Sequence, residues 1–109
     1  MVDFWWLYLV ECADGRLYAG IARDPHNRFE KHRSGRGAAF TRINGAKALL
    51  ACQPFEDHRR SSKIIEDHRS AAQAEYRLKR LTRTAKLEWA YVWSQTAIFS
   101  NSDASESNA

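Results

Sequence analysis

A chain of 109 residues is enough for one compact domain and too short for two. Its 44% hydrophobic content, with thirteen aromatic residues, is that of a globular protein, and no apolar run approaches membrane-spanning length. The formal net charge of +4 favours anionic partners without selecting one, and the basic residues all precede Ser94.

In chain order, Phe4 to Cys12 is apolar and aromatic and reads as a largely buried strand. Ala13-Asp14-Gly15 is a turn signal, and Arg16 to Ala22 is a second strand, so the chain opens with a β-hairpin. Asp24 can cap a helix whose first position suits Pro25, and this helix runs to about Arg33 before Ser34-Gly35. The segment from Gly35 to Gly45 is rich in Gly and basic residues, with room for one short helical turn. Ala48 to Phe55 is the third strand. Ser70-Ala71-Ala72-Gln73 has capping-box form and opens a helix to about Leu81. Thr82 or Thr84 caps a last helix carrying Leu87, Trp89, Tyr91 and Val92. Trp5, Trp6, Trp89 and Trp93 lie near the two ends, which should pack together or on one sheet.

The expected architecture is therefore α/β: a small, mainly antiparallel three-stranded sheet flanked by helices. Residues 1–93 form the domain. Residues 94–109, polar and containing five serines, form a tail expected to be disordered. Glu56-Asp57-His58-Arg59 recurs ten residues later as Glu66-Asp67-His68-Arg69. The repeat reads as a solvated insertion in a connecting loop, with Ile64-Ile65 an alternative source of the third strand. Cys12 and Cys52 lie in apolar runs without metal-ligand spacing and read as buried free thiols. They suit a reducing compartment, and with no signal peptide at the N-terminus a cytoplasmic protein is expected.

The motifs for phosphate-binding loops, paired CxxC, nucleophile-elbow serines and HExxH are missing. What remains is a set of Tyr, Arg, His and Glu. Tyr8 lies on the first strand in Trp6-Leu7-Tyr8, and Tyr18 on the second in Tyr18-Ala19-Gly20. Arg28 and His32 stand four residues apart on one face of the first helix. Glu75 lies on or beside the apolar face of the later helix, with Ala71 four residues before it and Leu78 three after. A carboxylate there needs a partner or a metal.

In this order and spacing the chain resembles the GIY-YIG nuclease family, in its small stand-alone bacterial branch. The first motif is degenerate, Trp6-Leu7-Tyr8, and the second is Tyr18-Ala19-Gly20. The surrounding text agrees: Asp14-Gly15-Arg16-Leu17, Arg28-Phe29-Glu30-Lys31-His32, Ser34-Gly35-Arg36-Gly37-Ala38 and Ala74-Glu75-Tyr76-Arg77-Leu78-Lys79. The resemblance implies an endonuclease that hydrolyses DNA phosphodiesters with one divalent metal, Mg2+ or Mn2+. By position, Glu75 would hold the metal and Arg28 the scissile phosphate. Tyr18 would activate or orient the attacking water, Tyr8 would assist, and His32 would orient groups or relay a proton. Arg33, Arg36, Arg42, Lys47, Arg77 and Lys79 are diffuse candidates for phosphate contacts, with Arg36, Arg42 and Lys79 the preferred ones. The DNA could be flapped, branched or single-stranded. The rival reading is a non-catalytic nucleic-acid-binding module on the same fold, which has no need for Glu75. A protein-interaction domain is a third.

A shared site also constrains the hairpin. A two-residue turn at Asp14-Gly15 pairs Tyr8 with Ile21 and Tyr18 with Glu11, which puts the tyrosines on opposite faces. A three-residue loop, Ala13-Asp14-Gly15 with Gly15 at positive φ, pairs Tyr8 with Gly20 and Val10 with Tyr18, on one face. The three-residue loop is the expectation.

Overall fold

The hairpin closes through Ala13-Asp14-Gly15. Gly15 adopts φ +89°, the left-handed region that an L side chain resists. Its N–H donates to the Cys12 carbonyl at 2.9 Å, and the Cys12 N–H donates to the Arg16 carbonyl at 2.8 Å. The three-residue loop sets the register, with Tyr8 opposite Gly20 and Val10 opposite Tyr18. Both tyrosines therefore project from one face of the sheet.

The computed structural model describes residues 3–36, 45–57 and 63–95. In chain order the elements are β1 (Asp3–Cys12), β2 (Leu17–Ala22), α1 (Pro25–Arg33), β3 (Ala46–Asp57), α2 (Lys63–Lys79) and α3 (Arg83–Ser94). The sheet order is β2-β1-β3, antiparallel throughout. The central strand β1 is the most deeply buried, with Leu7 to Val10 and Cys12 all sealed from solvent, as a strand covered on both faces must be. Pro54 is tolerated because β3 is an edge strand. Register shifts against β1 between Leu9 and Val10 and between Glu11 and Cys12 leave an extra β3 residue at each place. One of these is Leu50, which packs in the same cluster as its neighbour Ala51.

Two cores sandwich the sheet. On one face Leu7, Leu9, Ala19 and Ala51 pack against Leu78 and Ala74 of α2 and against Trp89, Ala90 and Trp93 of α3. On the other, Tyr8, Val10 and Cys52 pack with Trp6, Tyr18 and Phe29 of α1. Leu9 is fully buried, so Leu9→Ala should cost about 2–5 kcal/mol, the usual range for a core truncation. The tryptophans of the two ends do share the sheet, but Trp6 lies on the face opposite Trp89 and Trp93. Trp5 packs edge-on to His68 of α2 at 4.7 Å and beneath the Arg23 guanidinium at 4.2 Å. Cys12 and Cys52 are both buried and free. No described helix is long and apolar enough to cross a membrane.

Three local expectations need correction. β3 extends beyond Ala48–Phe55 at both ends. α2 starts at Lys63, seven residues before Ser70, and ends at Lys79 rather than Leu81. The second copy of the repeat, with Ile64-Ile65, is therefore helix and neither a solvated loop nor a strand. Residues 63–70 contain no Gly or Pro to break the helix, and propagation through such residues overrides a capping signal at Ser70. The first copy puts Glu56 and Asp57 at the end of β3; residues 58–62 lie outside the described residues. Of the two proposed caps, Thr82 is the one used, its Oγ1 accepting from the Ala85 N–H at 3.2 Å. The short turn expected within Gly35–Gly45 falls largely outside the described residues, as does the tail after Gln95.

Candidate active site

Local chemistry fixes α1 at both ends. Asp24 caps it, its Oδ1 accepting from the Asn27 N–H at 3.1 Å, and Pro25 occupies the first position. At the other end the Gly35 N–H donates to His32 O at 3.2 Å and the Arg36 N–H to Lys31 O at 2.9 Å, a Schellman closure. The helix thus lays Arg28 and His32, one turn apart, over the sheet face that carries the tyrosines.

His32 is buried at 1% exposure and is the only buried charged or polar side chain among the described residues. A buried imidazole needs a partner, and its Nε2 lies 2.9 Å from the Tyr8 hydroxyl. The Tyr18 ring meets the His32 ring edge-on at 5.2 Å, and the Tyr8 and Tyr18 centroids are 6.4 Å apart. Gly20 makes room for this cluster. A Cβ at Gly20 would fall 2.6 Å from Cζ of Tyr8 and closer still to its hydroxyl, so the phenol lies directly on the glycine backbone.

The Tyr8 hydroxyl is where the predicted site residues meet. Burial, first, and then the neighbouring Tyr18 push its pKa up to about 12. The Arg28 guanidinium opposes this, as a hydrogen-bond donor and as a positive charge, while the Glu75 carboxylate adds a small upward push. Burial also lowers the His32 pKa, and Arg28 adds to that effect. Tyr8 is therefore a neutral phenol and His32 a neutral imidazole at physiological pH. Glu75 comes from α2, which packs on the opposite side of the sheet and against β2, and it still lies within electrostatic range of Tyr8.

Exposure divides the five residues. Tyr8 and His32, at 1% each, are sealed beneath the surface. Tyr18 is half-buried, Arg28 is exposed, and the Glu75 side chain is 23% exposed. Glu75 pairs with Lys79 one turn on, at 3.5 Å. Among the described residues no group of three or more His, Cys, Asp or Glu could cage a metal. A single partly exposed carboxylate is a hard oxygen donor, and it fits an ion that keeps most of its water, such as Mg2+ or Mn2+.

Of the residues expected to contact phosphates, Arg36 is exposed just beyond α1, its Nε donating to Ser34 Oγ at 3.1 Å. Lys79 stands beside Glu75, and Arg42 lies outside the described residues. Sequence reasoning missed the pairing of Tyr76 with Arg80, whose guanidinium donates to the phenol at 2.9 Å. Their i, i+4 spacing was the available signal.

This combination of hairpin, helix and sheet is shared. The pattern described as the GIY-YIG catalytic domain matches residues 4–88. The chain belongs to the GIY-YIG family. Within it the chain falls among the small bacterial UPF0213 proteins. It is 42% identical to a UPF0213 protein of Xanthomonas axonopodis pv. citri over 78% of this chain and 74% of that one. It is 38% identical to UPF0213 protein YhbQ of Escherichia coli over 75% and 72%, and 43% identical to a UPF0213 protein of Bacillus cereus over 75% of each. The solution NMR structure of the UPF0213 protein BH0048 from Bacillus halodurans aligns with a TM-score of 0.43 and 31% identity, covering 82% of this chain and 84% of that one.

Proposed function

We propose that this protein is a divalent-metal-dependent endonuclease acting on DNA phosphodiesters. The observation that carries the reading is the meeting of Tyr18, Arg28 and His32 at one buried tyrosine, with the Glu75 carboxylate within electrostatic range of it, from three separate elements. A fold needs no such meeting for stability, since burying a histidine and a phenol costs more than burying two apolar residues.

Glu75 holds the divalent ion. When bound, the ion supplies Lewis-acid polarisation of the phosphoryl oxygens. Arg28, exposed above the buried pair, grips the scissile phosphate with its planar fork and neutralises charge as the phosphorus becomes pentacoordinate. Tyr18, half-buried beside His32, orients the attacking water through its hydroxyl. Tyr8 and His32 are too buried to touch substrate and act as positioning residues. Tyr8 braces Arg28 through its hydroxyl, and His32 braces the rings of both tyrosines. Arg36, Arg42 and Lys79 contribute to holding the DNA backbone.

The Glu75–Lys79 ion pair favours a second reading, a nucleic-acid-binding module in which Lys79 neutralises the carboxylate permanently. Incubating the protein with labelled single-stranded, duplex, flapped and branched DNA, with and without Mg2+, separates the two. Cleavage of at least one substrate that stops on chelation supports the nuclease. Retention of every substrate intact while binding persists supports the module.

A further inference from the structure

The outer side of α2 carries a pattern that the catalytic reading does not use. Arg69, Gln73, Tyr76 and Arg77 recur at helical spacing on the side opposite Ala71, Ala74 and Leu78, which face the core, and Arg80 follows in the turn that ends the helix. From Arg69 to Arg80 the single acidic residue is Glu75, on the inner flank. Tyr76 is 61% exposed, although burying an aromatic ring is ordinarily favourable. Arg80 holds the ring in place, with its guanidinium 5.4 Å from the centroid and its Nη1 donating to the phenol oxygen. Beside it lies an open recess of about 450 Å³ lined by Arg69, Ala72, Gln73, Tyr76 and Arg77.

These groups match one ligand chemistry. Ala72 and the Tyr76 ring offer an apolar wall for a flat aromatic base. The Gln73 amide can both donate to and accept from a base edge, and two arginines line the recess for phosphates, with Arg80 beside the Tyr76 ring. We propose that this face of α2 is a subsite for single-stranded DNA, with one unpaired base against Tyr76 and the neighbouring phosphates on Arg69, Arg77 and Arg80. The inference rests on the nuclease reading for the identity of the strand. Lys79 lies on the helix between Glu75 and this face, so a strand leaving the candidate active site past Lys79 reaches Tyr76 along α2. The charge of the face selects a polyanion over a second copy of this basic chain, which would meet it with like charge.

The test is binding without metal, by fluorescence anisotropy of a short fluorescein-labelled oligothymidylate and of an abasic strand of equal length. Full-length wild-type protein should prefer the strand with bases. Tyr76→Ala should lose that preference and bind the oligothymidylate about tenfold more weakly, the cost of one lost stacking contact. Tyr76→Phe, which keeps the ring, should bind nearly as wild type. Arg69→Ala and Arg77→Ala should each reduce the slope of log affinity against log salt by about 0.7. Tyr91→Ala, at an equally exposed tyrosine on α3, is the control and should change nothing. Unchanged binding by Tyr76→Ala, an equal loss in Tyr91→Ala, or a loss of self-association in place of DNA binding each overturns the subsite. Failure of the nuclease reading looks different: Tyr76-dependent binding would persist with no cleavage of any DNA. Cleavage with Tyr76-independent binding removes the subsite alone.

Discussion

The Tyr8 hydroxyl and Nε2 of His32 share a buried hydrogen bond across 2.9 Å. Tyr8, with its pKa pushed up to about 12, keeps its proton, and His32, with its pKa lowered by burial, stays neutral, so the bond joins two uncharged groups. Tyr8→Phe removes the hydroxyl and with it this buried hydrogen bond of His32. It should cost about 1–3 kcal/mol in denaturant unfolding, the usual range for such a loss. His32→Phe combined with Tyr8→Phe should cost less than the two single changes together, because the pair is lost once. Additive costs would mean that the bond carries no stability.

The same bond predicts a dependence on pH. His32 has its folded pKa below the ordinary 6.5, so between those two values the unfolded chain binds the extra proton. Stability should then be at its full value above about pH 6.5 and fall as pH drops through the folded pKa. Melting temperatures of wild type and His32→Gln, followed from pH 7.5 to 5 (a range of about 2.5 units around the free imidazole value), check this. The wild type should lose stability on acidification and the variant should lose less. Parallel curves would place the titration elsewhere.

Much of this site was legible in the sequence because it is built from local rules. The Asp24-Pro25 start fixed α1 and with it the Arg28–His32 spacing. The demand that Tyr8 and Tyr18 share a face selected the three-residue loop, and with it the pairing of Tyr8 with Gly20. The start of α2 was not legible, since Ser70 offers a good local cap and only packing and propagation decide that the helix begins at Lys63. Nor was the division by depth. Nothing in the order of residues separates His32, sealed under α1, from Arg28, exposed one turn earlier on the same helix.

Gly20→Ala should act through Tyr8 rather than through the strand. The added methyl would sit 2.6 Å from Cζ of a ring already held by His32, so the ring must move. Overpacking of this kind costs about 1–3 kcal/mol. The penalty should shrink in a Tyr8→Leu background, where the far end of the ring is gone. An equal penalty in both backgrounds would assign it to the backbone.

Arg28→Ala should lower kcat/KM by the equivalent of about 2–4 kcal/mol, as loss of a preorganised charge-stabilising donor does. Arg28→Lys should recover little, because an ammonium cannot span two phosphoryl oxygens. Arg28 is exposed, so both variants should melt close to wild type. Full activity in the lysine variant would reduce Arg28 to a generic charge.

The central claim is that Glu75 serves a metal rather than only Lys79. Its most direct test is cleavage of labelled DNA by Glu75→Gln in Mg2+, with binding of the same DNA measured in parallel without metal. Glutamine keeps the size of the side chain and removes the charge that pairs with Lys79 at 3.5 Å. The account predicts that cleavage is lost while binding stays or tightens, because Lys79 is released to the phosphates. Cleavage by Glu75→Gln at the wild-type rate would contradict it and leave the carboxylate as the structural partner of Lys79.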